Sequence, residues 1–240
     1  MSKVVVTAGW DDVPHLAAEE KARLLAGTPP YLRDARSKGI PTVGAGAIYP
    51  LPEEDIVVDD FVLPRHWPKG YGLDVGWKAT AAVWGAWDQS QGVDCIYLYS
   101  EYKRGVAEPP VHVQAIRARG EPLLGAIDPA SRGRGQRDGE RLFQDYQDLG
   151  LQIFKAPNAV EAGLFEVWER LTTGRLKIFR SMVQTLQELR LYRRDERGHL
   201  VKENDHLMDA MRYLVMMAPQ VISWHPDREP TRVVGTVNPR

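Results

Sequence analysis

One cysteine, Cys95, in a chain of 240 residues rules out a disulfide framework within the chain and a thiolate zinc cage. That usage fits a reducing compartment such as a cytoplasm. Long apolar runs are missing too: none approaches the roughly 18 residues of a membrane span. Met1–Asp12 has no basic start leading into an apolar stretch, so no signal peptide is expected. The chain has no Gly-x-x-x-x-Gly-Lys-Ser/Thr loop, so it is not expected to drive nucleotide-powered work by such a loop. A net charge of −1 is no general signature of a nucleic-acid binder.

What is present describes an ordinary globular protein, with 43% hydrophobic and 26% charged residues and enough length for one sizeable core plus extensions. The charge is unevenly placed. Arg170, Arg175, Lys177, Arg180, Arg190, Arg193, Arg194, Arg197 and Lys202 face only Glu188, Asp195 and Glu196 over the same stretch. A solvated helix and hairpin surface explains such a cluster as well as a polyanion footprint does.

Met1–Pro68 is punctuated by prolines and glycines, with one short helix expected near Ala17–Gly27, and reads as an extended connector wrapped on a neighbouring domain. From Lys69 the pattern becomes regular. Gly70–Val75, Thr80–Asp88 and Val93–Arg104 read as three successive strands, with a hairpin turn at Gln89–Gly92. A helix over Glu108–Arg119, a strand at Leu123–Asp128, a helix over Asp138–Leu149 and a strand at Leu151–Ala156 follow. Ala159–Thr173 carries an apolar stripe at helical spacing, and Arg175–Phe179 is extended. Ser181–Leu191 is helical, Leu191–Lys202 reads as a basic hairpin, and Asn204–Ala218 is a last helix. Val221–Arg240 is expected to be a loosely held tail after a domain spanning Lys69–Gln220. Three neighbouring strands followed by alternating helices and strands is the order of an α/β, ribonuclease H-like domain, with a mixed sheet of five or more strands flanked by helices.

Three carboxylates stand out within that order. Asp74 sits between Leu73 and Val75 in an apolar strand, where a desolvated charge must be paired or bound to a metal. Asp128 closes a second apolar strand, and Asp209 lies on the last helix, roughly 40° around the axis from Asp205 and 60° from His206. Each has a plainer explanation. Asp74 precedes Gly76 and Asp128 precedes Pro129, so both fit turns. Asp209 can pair with Arg212 one turn on, Asp205 can serve as a helix-start acid, Asn204 as a cap, and His206 as a structural histidine. Taken together, strand, strand and helix acids are what two-metal phosphodiester hydrolysis needs. Mg²⁺ and Mn²⁺ prefer oxygen ligands, and two ions about 3.5–4 Å apart serve the nucleophile and the leaving group.

Gly72-Leu73-Asp74-Val75-Gly76-Trp77, Ala126-Ile127-Asp128-Pro129-Ala130 and the stretch Asn204–Tyr213 resemble the nuclease domain of the large terminase subunit of tailed bacteriophages. Trp10–Leu16, and Gly39–Pro41 through Gly44–Pro50, are similar to the segment joining the packaging ATPase to that nuclease. The resemblance implies a ribonuclease H-like endonuclease that cuts double-stranded DNA concatemers during genome packaging in the host cytoplasm. It implies Asp74, Asp128 and Asp209 as ligands of two Mg²⁺ or Mn²⁺ ions, with Asp205 a neighbouring acid of variable role and His206 functional in some relatives. The ATPase motor, the portal and the small terminase subunit are the implied protein partners. Leu191–Lys202 resembles an auxiliary hairpin beside the active site. Arg132, Arg134 and Arg137, with Arg193, Arg194 and Lys202, are the expected contacts to DNA phosphate. A resolvase or integrase of the same fold, and an idle docking module of the packaging machine, are the competing expectations.

Overall fold

The computed structural model describes residues 9–13, 16–26, 37, 46–92, 94–120, 123–128 and 136–222, the side chains of 11, 91 and 136–140 apart. Helix α1 (Ala18–Ala26) buries none of its residues. Helix α2 (Glu53–Ile56) runs straight into β1 (Val57–Val58). The expected meander follows as β2 (Lys69–Asp74), β3 (Thr80–Asp88) and β4 (Cys95–Arg104), antiparallel throughout. A short 3-10 turn at Ser90–Gly92 begins where Asp88 Oδ1 accepts the Ser90 N–H at 3.0 Å.

Helical crossovers then supply the parallel strands: α3 (Pro109–Arg117), β5 (Leu124–Ile127), α4 (Gln136–Asp148), β6 (Gln152–Lys155), α5 (Val160–Thr172) and β7 (Leu176–Phe179). Helices α6 (Val183–Leu191), α7 (His206–Met216) and α8 (Ala218–Val221) close the chain. The sheet has seven strands among the described residues, in the order β1-β7-β4-β3-β2-β5-β6. β5 pairs parallel with β2 and β6, while β7 pairs parallel with β4 and β1. The mixed sheet flanked by helices is the architecture that the element order implies.

Strand alternation divides the core between the two faces of the sheet. Tyr71, Leu73, Ala82 and Trp84 pack with Val113, Ile116 and Tyr146 on the α3/α4 face. Ala81, Val83, Ile96, Leu98, Leu124 and Ala126 pack with Leu164, Val167, Leu207, Met211 and Leu214 on the α5/α7 face. The segment ahead of Lys69 enters this second cluster: Ile48, Tyr49 and Ile56 are buried in it. Pro50, Pro52, Pro64 and Pro68 keep the described stretch 46–68 from forming long elements, yet Ile48, Tyr49 and Ile56 still find the core.

Two expectations need amendment. The tail does not begin at Val221: Val221 and Ile222 are fully buried, because α8 returns the chain onto the α7 face; residues 223–240 lie outside the described set. The hairpin over Leu191–Lys202 is reduced to an isolated bridge between Arg194 and Leu200, closed by Asp195 N–H to His199 O at 2.8 Å. Its first arm takes the Val201 N–H on Arg193 O at 3.0 Å and pairs with the connector as well, through Ile48 N–H to Tyr192 O at 3.0 Å and Arg194 N–H to Gly46 O at 2.9 Å.

Candidate functional site

The same alternation that builds the core aims the strand acids. On β2, Gly70, Gly72 and Asp74 share the face opposite Tyr71 and Leu73, and that face lies under α7. Gly72 gives no Cβ where α7 crosses: an added methyl would stand 1.9 Å from Ala210 O. On β5, Leu124 and Ala126 point to that face as well, and Asp128 continues their parity. Leu73 is in register with Ile127, and the Asp128 N–H extends the ladder to Leu73 O at 3.1 Å. Asp74 and Asp128 therefore end neighbouring parallel strands at one level. Asp209 comes from the first turn of α7, and His206 from its first residue.

The last helix is more buried than an amphipathic stripe requires, since every residue from Leu207 to Val215 is buried. Charges there must be matched. Asp209 Oδ1 accepts from Arg212 Nη2 at 2.9 Å, and Asp209 Oδ2 from Lys202 Nζ at 3.1 Å. Lys202 also reaches Asp205 Oδ2 at 3.0 Å. His206 Nδ1 stands 2.8 Å from Asp74 Oδ2. Burial, followed by the charges of Asp209 and Asp128, pushes the Asp74 carboxyl up to about 6, although the His206 hydrogen bond works against the rise. That bond to Asp74 raises the imidazole of His206 against its own burial. Burial pulls Lys202 down, but Asp209 and Asp205 outweigh it and leave the ammonium raised.

The chemistry of this donor set suits a hard divalent cation: carboxylate oxygens, mutually repulsive and partly desolvated. The side-chain placement is a cation-paired one. Among the described residues, no three His, Cys, Asp or Glu side chains converge as a metal cage. Lys202 and Arg212 draw the two oxygens of Asp209 apart, and His206 holds Asp74 separately. Gathering these carboxylates around one ion calls for exchange of those partners.

The expected phosphate contacts fare differently. Arg132 and Arg134 lie outside the described residues, and Arg137 is described only in its backbone within α4. Arg194 binds Glu161 at 2.7 Å and Gly198 O at 2.9 Å, and Lys202, exposed along its stem, gives its ammonium to the acids. Arg193 is half-buried on the bridge to Ala47. Asp205 occupies the N-cap position of α7, yet its carboxylate makes no cap.

A different acid performs that task. Glu188 on α6 is buried, and its Oε2 accepts the Leu207 N–H at 2.7 Å, satisfying a free donor at the start of α7. Its Oε1 receives Lys103 Nζ from β4 at 2.6 Å. Glu101, two residues earlier on β4, accepts from the Gln184 and Thr185 N–H groups at 3.0 and 2.7 Å and so holds the start of α6. The position of the helix bearing His206 and Asp209 is thus tied to the sheet by two carboxylates in series. The residue pattern holds one hint of this: Glu188 lies between Leu186 and Leu189 on a helix that must bury its apolar side. Replacing Glu188 by Gln keeps an acceptor for Leu207 but strips Lys103 of its charge partner. A stability loss of about 1–2 kcal/mol follows, read from a denaturant titration at unchanged slope.

The family model of the terminase RNaseH-like domain matches residues 72–218. The large terminase subunits of Enterobacteria phage LP7 and Salmonella phage P22 are each 32% identical over 226 residues, covering 90% of this chain. The chain spans less than half of those relatives, 47% and 44% of their lengths. The P22 large terminase nuclease domain superposes with a TM-score of 0.69 at 30% identity, over 75% of this chain and 96% of that one. The nuclease domain of the SPP1 large terminase, solved with bound Mn, shares the fold at 18% identity, with a TM-score of 0.51 over 70% of this chain and 98% of that one. No described helix is long and apolar enough to cross a membrane. The family-model match over residues 72–218, the 32% identity over 90% of the chain and the shared mixed-sheet fold make the chain a member of the terminase RNaseH-like domain family.

Proposed function

We propose that this chain is a divalent-metal-dependent endonuclease that cuts double-stranded DNA concatemers during viral genome packaging, with little sequence preference. The reading rests on one observation above the others: β2 and β5 end side by side, with the Asp128 N–H on Leu73 O at 3.1 Å, and the start of α7 reaches the same end through His206 Nδ1, 2.8 Å from Asp74 Oδ2. Asp74, Asp128 and Asp209, with Asp205 beside them, are the residues that would hold two Mg²⁺ or Mn²⁺ ions. Bound, the ions supply an activated water at the phosphorus and stabilise the departing 3′-oxygen. The Mn held by the SPP1 domain, whose fold is the same, supports the choice of metal.

The chain's own groups divide the remaining work. His206 fixes the rotation of the Asp74 carboxylate from the start of α7. Lys202 and Arg212 balance Asp209 until its oxygens are needed, so the acids can sit together without unfolding the site through repulsion. The whole-protein context, an ATPase motor, a portal and a small terminase subunit in the host cytoplasm, belongs to the same proposal. Supercoiled plasmid incubated with the chain and Mn²⁺ is expected to be nicked and linearised, and EDTA to stop it. Uncut plasmid across a range of Mn²⁺ and Mg²⁺ concentrations would leave a docking module as the better reading.

A further inference from the structure

Beside the acids, the chain presents apolar side chains to solvent on a rigid corner. Trp77 is 62% exposed and Val106 is 71% exposed. Trp77 lies three residues beyond Asp74, within roughly 10 Å even for an extended chain. Val106 follows β4, whose paired strand β3 begins just after that turn.

Both loops are built to hold still. Gly76 N–H donates to Thr80 Oγ1 at 3.4 Å, and the Thr80 hydroxyl donates to Gly76 O at 3.1 Å. The Val106 N–H donates to Trp77 O at 2.9 Å, joining the two loops. Gly105 presses so closely on the turn that a Cβ there would stand 2.2 Å from Lys78 O. His112 Nε2 lies 3.1 Å from Ala107 O and anchors the far side. Val106 itself is held at φ 51°, a left-handed conformation that a β-branched residue rarely adopts. An exposed valine gains nothing for the fold from this posture, and strain of that kind gathers at binding sites. Lys78, next to Trp77 in the chain, and Arg104, two residues before Val106, are exposed.

The geometry points to Trp77 and Val106 as an apolar wedge that enters a groove of duplex DNA and registers the scissile phosphate over Asp74, with Lys78 and Arg104 on the flanking phosphates. This rests on the endonuclease reading above. A duplex with a phosphate at Asp74 must cover a corner so near, and the two cations match its backbone charge. Val106 offers no hydrogen-bonding group and the Trp77 indole only its N–H, so the pair adds contact with sugar and base edges without selecting sequence.

The test compares wild type with Trp77→Ala and Val106→Gly, measuring duplex binding in EDTA by fluorescence anisotropy and stability by thermal melting. Trp77→Ala is expected to weaken binding about tenfold. Val106→Gly is expected to weaken binding several-fold while its melting temperature stays level or rises, since Gly accepts a positive φ. A merely structural valine would not separate the two. Wild-type affinity in both variants, from a wild type that does cut plasmid with Mn²⁺, overturns the wedge and leaves the nuclease standing. A wild type that cuts nothing sinks the nuclease reading first.

Discussion

Asp74→Asn is expected to abolish metal-dependent plasmid cutting and to leave the fold intact. On the proposed reading, an amide here removes an anionic charge that would hold the ions, which would supply several kcal/mol of charge stabilisation in phosphodiester hydrolysis. At 1.36 kcal/mol per tenfold in rate, the loss is of order 10³-fold. The fold is spared because the wild-type carboxylate is a burden there. Its folded pKa, pushed up to about 6 chiefly by burial, lies above the unfolded value of 3.8. In metal-free buffer, the folded state therefore loses stability as pH rises from about 4 to 6, and above that window the deficit is roughly 2–3 kcal/mol. Asn carries no such deficit, although His206 Nδ1 loses its carboxylate partner. Melting temperatures measured at pH 4.5 and pH 7.5 should fall less with pH for the variant than for wild type. Full cutting by Asp74→Asn would displace the site. A collapsed melting temperature would mean that the carboxylate supports the fold rather than chemistry.

The sequence shows more of the architecture than of the charge network, for reasons that individual residues make clear. β2, β3 and β4 are legible because apolar and β-favouring residues fill them and a polar turn parts Asp88 from Asp94. The three acids are legible because Asp74 and Asp128 each close an apolar strand and Asp209 stands among apolar residues of the last helix. Partner choice is a different matter. Lys202 carries the same signature as the other basic residues around it, yet it pairs with Asp205 and Asp209 because the chain bends at Asn204 before α7 begins. Glu188 reads as the polar side of a short helix, and only the crossing of α6 with α7 brings it to the Leu207 N–H. β1 has two residues and no pattern of its own; it becomes a strand because β7 offers a free parallel edge. The β1–β7 and Glu188–Leu207 contacts join separate elements, and beyond the placing of Glu188 among leucines the local spacing does not name their partners.

Gly72→Ala is expected to be the most damaging single methyl in the domain. β2 and α7 meet with Gly72 directly beneath the Ala210 carbonyl, and the added Cβ would stand 1.9 Å from that oxygen and 2.9 Å from Leu214 N. Neither obstacle is a side chain that can rotate aside; both belong to the backbone of a buried helix. Accommodation means lifting α7 by more than an ångström from a strand that is itself hydrogen-bonded on both edges, to β3 and β5. Overpacking of a close core costs 1–3 kcal/mol where side chains can yield, so a backbone clash should cost about 3 kcal/mol or more. The displacement also separates Asp209 and His206 from Asp74, which shares the Gly72 face of β2. Denaturant titration should show a midpoint lowered by that amount at unchanged slope, and plasmid cutting should fall even where the variant remains folded. Wild-type stability in the Gly72→Ala variant would mean that α7 does not sit on β2 at this distance, and the convergence of strand and helix acids would lose its structural basis.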